Sequence, residues 1–482
     1  MKLQFHTGET PVPSGGNSEP LGETIGAPLI SARWSLLLAS PLMVTCHPNR
    51  AVLSFYKDIC QEHLSIEEVC VPLSYQDIGI QSKHQDKVVE ALYRTHDYLL
   101  RNLSNPIQRS LFGEIDFSAP LIGIYGCRGV GKTTFLLDYA ARTFGSLNRK
   151  CLYVNLNNFL FTSETLVDFA KTFYDHGGRH LLLDQIYKYP SWHEDLLACM
   201  RLMPDLQIIY TTSIVQYDSA LPIEEQLPGA VYRLDGFSLR EFIQLKTGLN
   251  LPQVTLEEIL KDHETISREI MGMVNPLNYL ADYTHHGYYP FFLEDRNYSE
   301  NLLKNINMML EVDVSFLRNL DQRLLPKLRR LLYELGRTTP TSPNISQLSQ
   351  MISASRATIS NYMHILSDAG LVTQLYRVGS EATTRKPAMC YLQNTNIGYA
   401  LVPEPVTSPE LYSTFFLTHL HHAHQVNAGG RAQVHFVLDE TYEFRIDKEL
   451  GGRYRPDRYY AVQGIPMGHD NVIPLWLFGF IY

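Results

Sequence analysis

The sequence predicts an α/β protein built around a parallel sheet that carries a phosphate-binding loop. Three observations predict it. The run Gly126-Cys127-Arg128-Gly129-Val130-Gly131-Lys132-Thr133-Thr134 fits the spacing G-x-x-x-x-G-K-[ST]. From Pro120 to about Gly248, short apolar runs alternate with helical patterns, as in a sheet covered by helices on both faces. A second apolar run, His180-Leu181-Leu182-Leu183-Asp184-Gln185, ends in an acid.

The loop has the right flanks. Leu121-Ile122-Gly123-Ile124-Tyr125 reads as a buried strand, and Phe135-Leu136-Leu137-Asp138-Tyr139-Ala140 as the start of a helix. Glycines let the backbone close around phosphates with successive N–H groups pointing inward, and the helix dipole adds positive potential. Gly126, Cys127, Arg128, Gly129, Val130, Gly131, Lys132, Thr133 and Thr134 are therefore the candidate ATP-binding residues. Lys132 is expected to reach the β- and γ-phosphates, and the Thr133 hydroxyl to bind Mg²⁺.

Asp184 is the second candidate Mg²⁺ residue, acting through water. Many ATPases place Glu directly after this acid to polarise the attacking water. Here the position is Gln185, which can orient a water but is a poor base at pH 7. Binding of ATP is thus expected to survive this change better than hydrolysis. Other candidate strands are 151–156 and 207–210, and the latter continues to Ser213, a candidate sensor of the γ-phosphate. Lys132, Asp184, Gln185 and Ser213 make up the candidate catalytic set.

The 482 residues suffice for about three domains, and 45% hydrophobic with 19% charged residues suits a soluble protein with real cores. Lys+Arg 41 against Asp+Glu 50 gives a net charge of −9, which argues against coating nucleic acid through overall charge. The seven cysteines contain no C-x-x-C pair, so a reducing, cytoplasmic location is expected. The early apolar run 34–44 is too short to span a bilayer and lies behind a Gly/Pro-rich leader, unlike a signal peptide, so no membrane partner is expected. Met43 is a candidate alternative start, which intact-mass measurement would decide. The chain divides into a disordered leader (1–48), a helical segment (49–118), the phosphate-binding core (119–248), a helical lid or linker (249–324), a helix-turn-helix region (325–404) and mixed α/β text (405–482).

In the helix-turn-helix region, 345–352 reads as one short helix, and Ser355 caps a second over 356–366, with strands from Leu371 onward. Arg356, Thr358, Ser360 and Asn361 are candidates to face DNA, with Arg377, Arg385 and Lys386 on phosphates. The second helix carries little positive charge, which favours packing or a protein partner over DNA. His419, His421, His422 and His424 pair at helical spacing, but no convincing carboxylate or cysteine partner lies near, so a solvated or helix-packing cluster is favoured over a metal. Trp476 and the phenylalanines beside it read as core on an apolar closing strand.

With these motifs in place, the chain resembles a group of bacterial and archaeal AAA-family P-loop ATPases that carry a winged helix and a C-terminal restriction-nuclease-like domain of unknown function. Residues 126–134 carry the resemblance together with 153–161, 183–192, Gly236-Phe237-Ser238-Leu239-Arg240-Glu241-Phe242, 287–294, 391–396 and 473–482, and it covers roughly 115–482. It implies a P-loop NTPase sheet with a helical lid, a winged helix over 325–404 and a small mixed α/β nuclease-like domain over 405–482. ATP and Mg²⁺ are the implied cofactors. This chain departs from the group in three places. Gln185 stands where the group has Glu. A pair of arginines near Leu227-Pro228-Gly229, one a potential arginine finger, is missing. Acids expected near Ser413, His435 and Arg445 are also missing, leaving Asp447 and Lys448 as remnants, so no DNA cleavage is expected. The resulting expectation is an ATP-binding protein with weak hydrolysis, coupled to its C-terminal domains. A non-catalytic scaffold or a DNA-binding regulator is the alternative.

Overall fold

The computed structural model describes residues 75–103, 109–217, 229–294, 297–379, 386–402, 408–430, 434–451 and 454–482. The expected leader, Arg385 and the segment around Leu227 lie outside the described residues. Residues Ser74–Tyr482 form one compact unit.

Helix α1 (Tyr75–Arg101) contains the apolar pattern that ends at Leu100. The central sheet holds β1 (Leu121–Gly126), β2 (Cys151–Asn155), β3 (His180–Asp184), β4 (Gln207–Ser213) and β5 (Ala230–Arg233). Its order is β2-β3-β4-β1-β5, and every pairing is parallel. Side chains alternate between two cores. Leu121, Leu181, Leu183 and Ile208 enter one, and Ile122, Leu182 and Ile209 the other. A sheet buried on both faces needs unbroken apolar runs, which is why β1, β3 and β4 were legible. The half-buried edge strand β5, Ala230-Val231-Tyr232-Arg233, lacks such a run. Helices α2 (Lys132–Thr143), α3 (Leu166–Asp175) and α4 (Trp192–Leu202) alternate with the strands.

After the sheet come α5 (Leu239–Thr247), α6 (Leu256–Met273), α7 (Leu277–His286) and α8 (Tyr298–Met308). A capping box between Ser238 and Glu241 starts α5. A π-helical stretch, Met309–Val314, continues α8. Next come α9 (Leu325–Thr338), α10 (Ile345–Ile352) and α11 (Arg356–Asp368), then the antiparallel pair β6 (Val372–Leu375) and β7 (Met389–Leu392). Ser355 caps α11 as expected, accepting from Thr358 N. The apolar side chains of α9 to α11 join the same core as β1 and α2.

Helices α12 (Thr395–Leu401) and α13 (Ser408–Leu420) lead into a second sheet of β8 (Val426–Ala428), β9 (Phe436–Leu438), β10 (Tyr442–Asp447), β11 (Tyr459–Val462) and β12 (Val472–Pro474). Its order is β12-β11-β10-β9-β8, parallel from β10 to β12 and antiparallel elsewhere.

Two local expectations are corrected. The apolar ending is a strand only to Pro474, and Leu475–Phe480 is a 3₁₀ helix. Proline has no N–H for a further ladder bond and fixes φ near the helical value. Trp476 is nonetheless core, and its indole N–H donates to Ile465 O at 3.2 Å. The histidine run does not continue a helix, because α13 stops at Leu420 and residues 421–424 turn back. His422 meets the Asp235 carboxylate at 2.7 Å and His424 meets Asp439 at 2.8 Å.

His419 is fully buried. Its Nδ1 donates to Phe415 O at 2.8 Å, and its Nε2 accepts from Leu239 N at 3.3 Å, which fixes a neutral tautomer joining α13 to α5. Burial pushes its pKa from 6.5 down to about 4. The unfolded chain therefore takes up this proton first, so His419 stabilises the fold fully above pH 6.5 and progressively less as pH falls to about 4. The unfolding free energy is expected to drop by about 2–3 kcal/mol across that window from this group. Urea titrations at several pH values should show a flatter acid limb in His419→Gln. Equal slopes in the two proteins would refute the assignment.

Candidate functional site

Strand β1 delivers the glycine loop to an interior position of the sheet, between β4 and the edge strand β5. Gly126 passes so close to the next strand's exit that a Cβ there would lie 2.2 Å from Leu234 O. Gly129 and Gly131 take φ of +89° and +102°, a region that glycine enters without strain. Helix α2 then starts at Lys132 from Gly131, with no side chain capping its opening amides. A cavity of about 580 Å³ opens over this turn, lined by residues 128–134, Asp184, Gln185, Thr211, Ser213, Phe291 and Asp313, among others. Its size suits a nucleotide.

Lys132 donates to Gly126 O at 2.7 Å and Cys127 O at 2.8 Å. Burial pulls its ammonium below the usual lysine range, opposed by nearby acidic groups that include Asp313 and Asp184. Asp184 is buried and accepts three hydroxyl hydrogen bonds. Thr133 and Tyr153 both reach Oδ2 at 2.8 Å, and Thr211 reaches Oδ1 at 2.5 Å. The structure thus unites Lys132, Thr133 and Asp184 on one floor, as the motifs imply.

Gln185 lines the cavity in the left-handed conformation, φ 56°, and its N–H donates to Thr211 Oγ1 at 3.0 Å. Ser213 also lines the cavity, but its hydroxyl accepts from Val215 N at 3.3 Å. Thr211, rather than Ser213, reaches the Asp184 carboxylate. The register that pairs Leu183 with Tyr210 puts the next residues, Asp184 and Thr211, side by side. A single strand's sequence does not carry that register.

The donor set fits the cofactors the motifs imply. A hydroxyl beside a carboxylate supplies hard oxygens of the kind Mg²⁺ prefers. Uncapped amides after two positive-φ glycines form a concavity for phosphate.

Sequence reasoning missed the residues that hold the loop from outside. Buried Arg109 donates to Val130 O at 3.2 Å, Asp235 O at 2.7 Å, Gly236 O at 2.9 Å and the Glu241 carboxylate at 3.2 Å. Glu241 also accepts from Ser110 N at 2.8 Å. Burial alone would push the Glu241 carboxyl up, but Arg109 and Ser110 outweigh it and hold it below the usual range. Arg128 pairs with Asp313 at 3.1 Å, and Tyr187 donates to the same carboxylate at 2.9 Å. A Cβ on Gly129 would stand 2.8 Å from the Phe291 ring. The Cys127 thiol donates to Gly370 O at 3.8 Å, in the turn that follows α11.

The remaining candidates are dispersed. Arg356, Ser360 and Asn361 lie exposed on α11, whereas Thr358 is half-buried and bonded to the Ser355 hydroxyl at 2.8 Å. Arg377 forms a bridge with Ala428, and Lys386 is exposed. Asp447 accepts from Arg445 at 2.6 Å, so this carboxylate is already paired with a cation. Among the described residues, no three His, Cys, Asp or Glu side chains are placed to hold a metal ion together. No helix among them is long and apolar enough to cross a membrane.

Comparison with known proteins bears on two segments. Residues 277–402 match a domain of unknown function (DUF8612). An uncharacterized protein of Methanocaldococcus jannaschii is 26% identical over 287 residues, which are 54% of this chain and 57% of the relative, so the match spans a little over half of that protein's length. Among solved structures, PCH-2 of C. elegans aligns over 59% of this chain and 67% of its own, at 16% identity and a TM-score of 0.21. The HORMA–CdnC–Trip13 complex of E. coli MS115-1 aligns over 47% of this chain and 87% of its own, at 14% identity and the same TM-score of 0.21. Residues 118–243 match the family model described as an AAA domain, and this matched segment holds the parallel sheet and the glycine loop.

Proposed function

We propose that this chain binds ATP with Mg²⁺ on residues 126–134, hydrolyses it slowly, and uses binding to bias the arrangement of its C-terminal half. The observation that carries the reading is the Thr133 hydroxyl, 2.8 Å from the Asp184 carboxylate, beneath an uncapped helix start. Lys132 supplies the ammonium for the phosphate tail, and Thr133 and Asp184 would hold the cation. Bound Mg²⁺ would neutralise charge on the phosphates. Gln185 orients a water but does not take its proton, which is the reason for slow turnover.

Two contacts support the coupling. Arg128 ties the loop to Asp313 in the π-helical stretch, and Cys127 ties it to Gly370 behind the helix-turn-helix. We read α9 to α11 with β6 and β7 as a winged helix used for packing or a protein partner. We read the C-terminal sheet as a nuclease-like fold without cleavage, since Ser413, His435 and Arg445, near which the resemblance implies metal-holding acids, are not acidic.

The test is equilibrium binding of ATP and ADP with Mg²⁺, followed by phosphate release on the same sample. Binding with turnover well below about 1 per second is expected. Gln185→Glu should raise release by roughly 100-fold or more, in the range a positioned general base contributes. No measurable affinity for ATP, or wild-type release at about 1 per second or faster, would overturn the reading.

A further inference from the structure

We infer that Tyr153 and Thr211 are positioning residues that set how strongly nucleotide binding depends on divalent cation; this rests on the ATP-binding reading above. A carboxylate offers about four lone-pair sites. Thr133 and Tyr153 fill those on Asp184 Oδ2, and Thr211 fills one on Oδ1. One Oδ1 site is left for a cation's water. The side chain is therefore oriented by donors from β2, α2 and β4 at once. Of these, only Thr133 belongs to the phosphate-binding motif.

Tyr153 and Thr211 face inward, 6% and 0% exposed, so neither hydroxyl is there for solvent. Thr211 has a second task. It accepts the Gln185 N–H, which supports the left-handed backbone directly after the acid. One threonine thus fixes both the carboxylate and the amide beside it. Groups that orient a cation-holding side chain in this way commonly govern cation affinity by 10–100-fold.

The experiment measures ATP affinity by calorimetry in a Mg²⁺ titration and again with the divalent ion chelated. It uses wild type, Tyr153→Phe, Thr211→Val and Thr211→Ser, each checked by thermal unfolding. The Mg²⁺ concentration for half-maximal enhancement of binding should rise by about tenfold in Tyr153→Phe and in Thr211→Val. Thr211→Ser keeps the hydroxyl and should restore the wild-type value. Mn²⁺ bound with ATP and followed by electron paramagnetic resonance should show the same order. A merely structural role would weaken binding equally with and without the ion. Such equal weakening, or a shift below about threefold in both variants while wild type binds ATP, overturns this inference alone. If Thr211→Val does not fold, Tyr153→Phe decides by the same criterion. Absence of ATP binding in wild type overturns the underlying reading instead.

Discussion

Arg109→Ala should cost the folded protein about 3–5 kcal/mol, the range expected when one partner of a buried ion pair is removed. The guanidinium is the hub of a buried network. It serves one carboxylate and the carbonyls of Val130, Asp235 and Gly236, and it lies over the Phe237 ring at 4.5 Å. Truncation leaves Glu241 charged and enclosed, with three carbonyls short of a donor. Arg109→Lys keeps the charge but not the planar fork, so it should recover only part of the loss. Urea unfolding monitored by tryptophan fluorescence measures both. A loss below about 1 kcal/mol for Arg109→Ala would mean that water replaces the network freely.

Lys132→Ala is expected to weaken ATP binding by roughly 100-fold or more, about 2.7 kcal/mol, without lowering thermal stability. The two effects separate because the ammonium sits on its own loop carbonyls and burial already works against its charge. Removing it relieves that cost while deleting the cation proposed to meet the phosphates. Calorimetry and thermal unfolding on the same preparation decide the matter. Unchanged affinity would refute the assigned role. A folded variant that keeps full function in cells would favour a scaffold that needs no nucleotide.

The core of the site was legible because it is local. Gly126, Gly131, Lys132 and Thr133 follow from one stretch whose backbone needs dictate residue type, and Asp184 from the end of an unbroken apolar strand. The paired helices 345–352 and 356–366 were legible from period and capping, and α11 runs only two residues further. What escaped is non-local. Arg109 meets Glu241 across 132 positions, and Arg128 meets Asp313 across 185. A lone arginine in a connecting segment looks the same whether it is solvated or enclosed. Thr211 was hidden differently, since its role depends on the register between β3 and β4. Strand β5 escaped because an edge needs no continuous apolar run.

The meeting of Cys127 and Gly370 bears on how the chain can vary. Gly370 holds φ +65°, and a Cβ there would stand 2.4 Å from the Cys127 sulfur. The two positions, 243 residues apart, therefore behave as one heritable unit. A side chain at 370 would demand a smaller residue than cysteine at 127, whereas a bulkier residue at 127 finds glycine already at 370 and no further room to gain. Joining the amino-terminal portion of this chain to a carboxy-terminal portion that carries a side chain at position 370 would break that match even if each portion came from a sound parent.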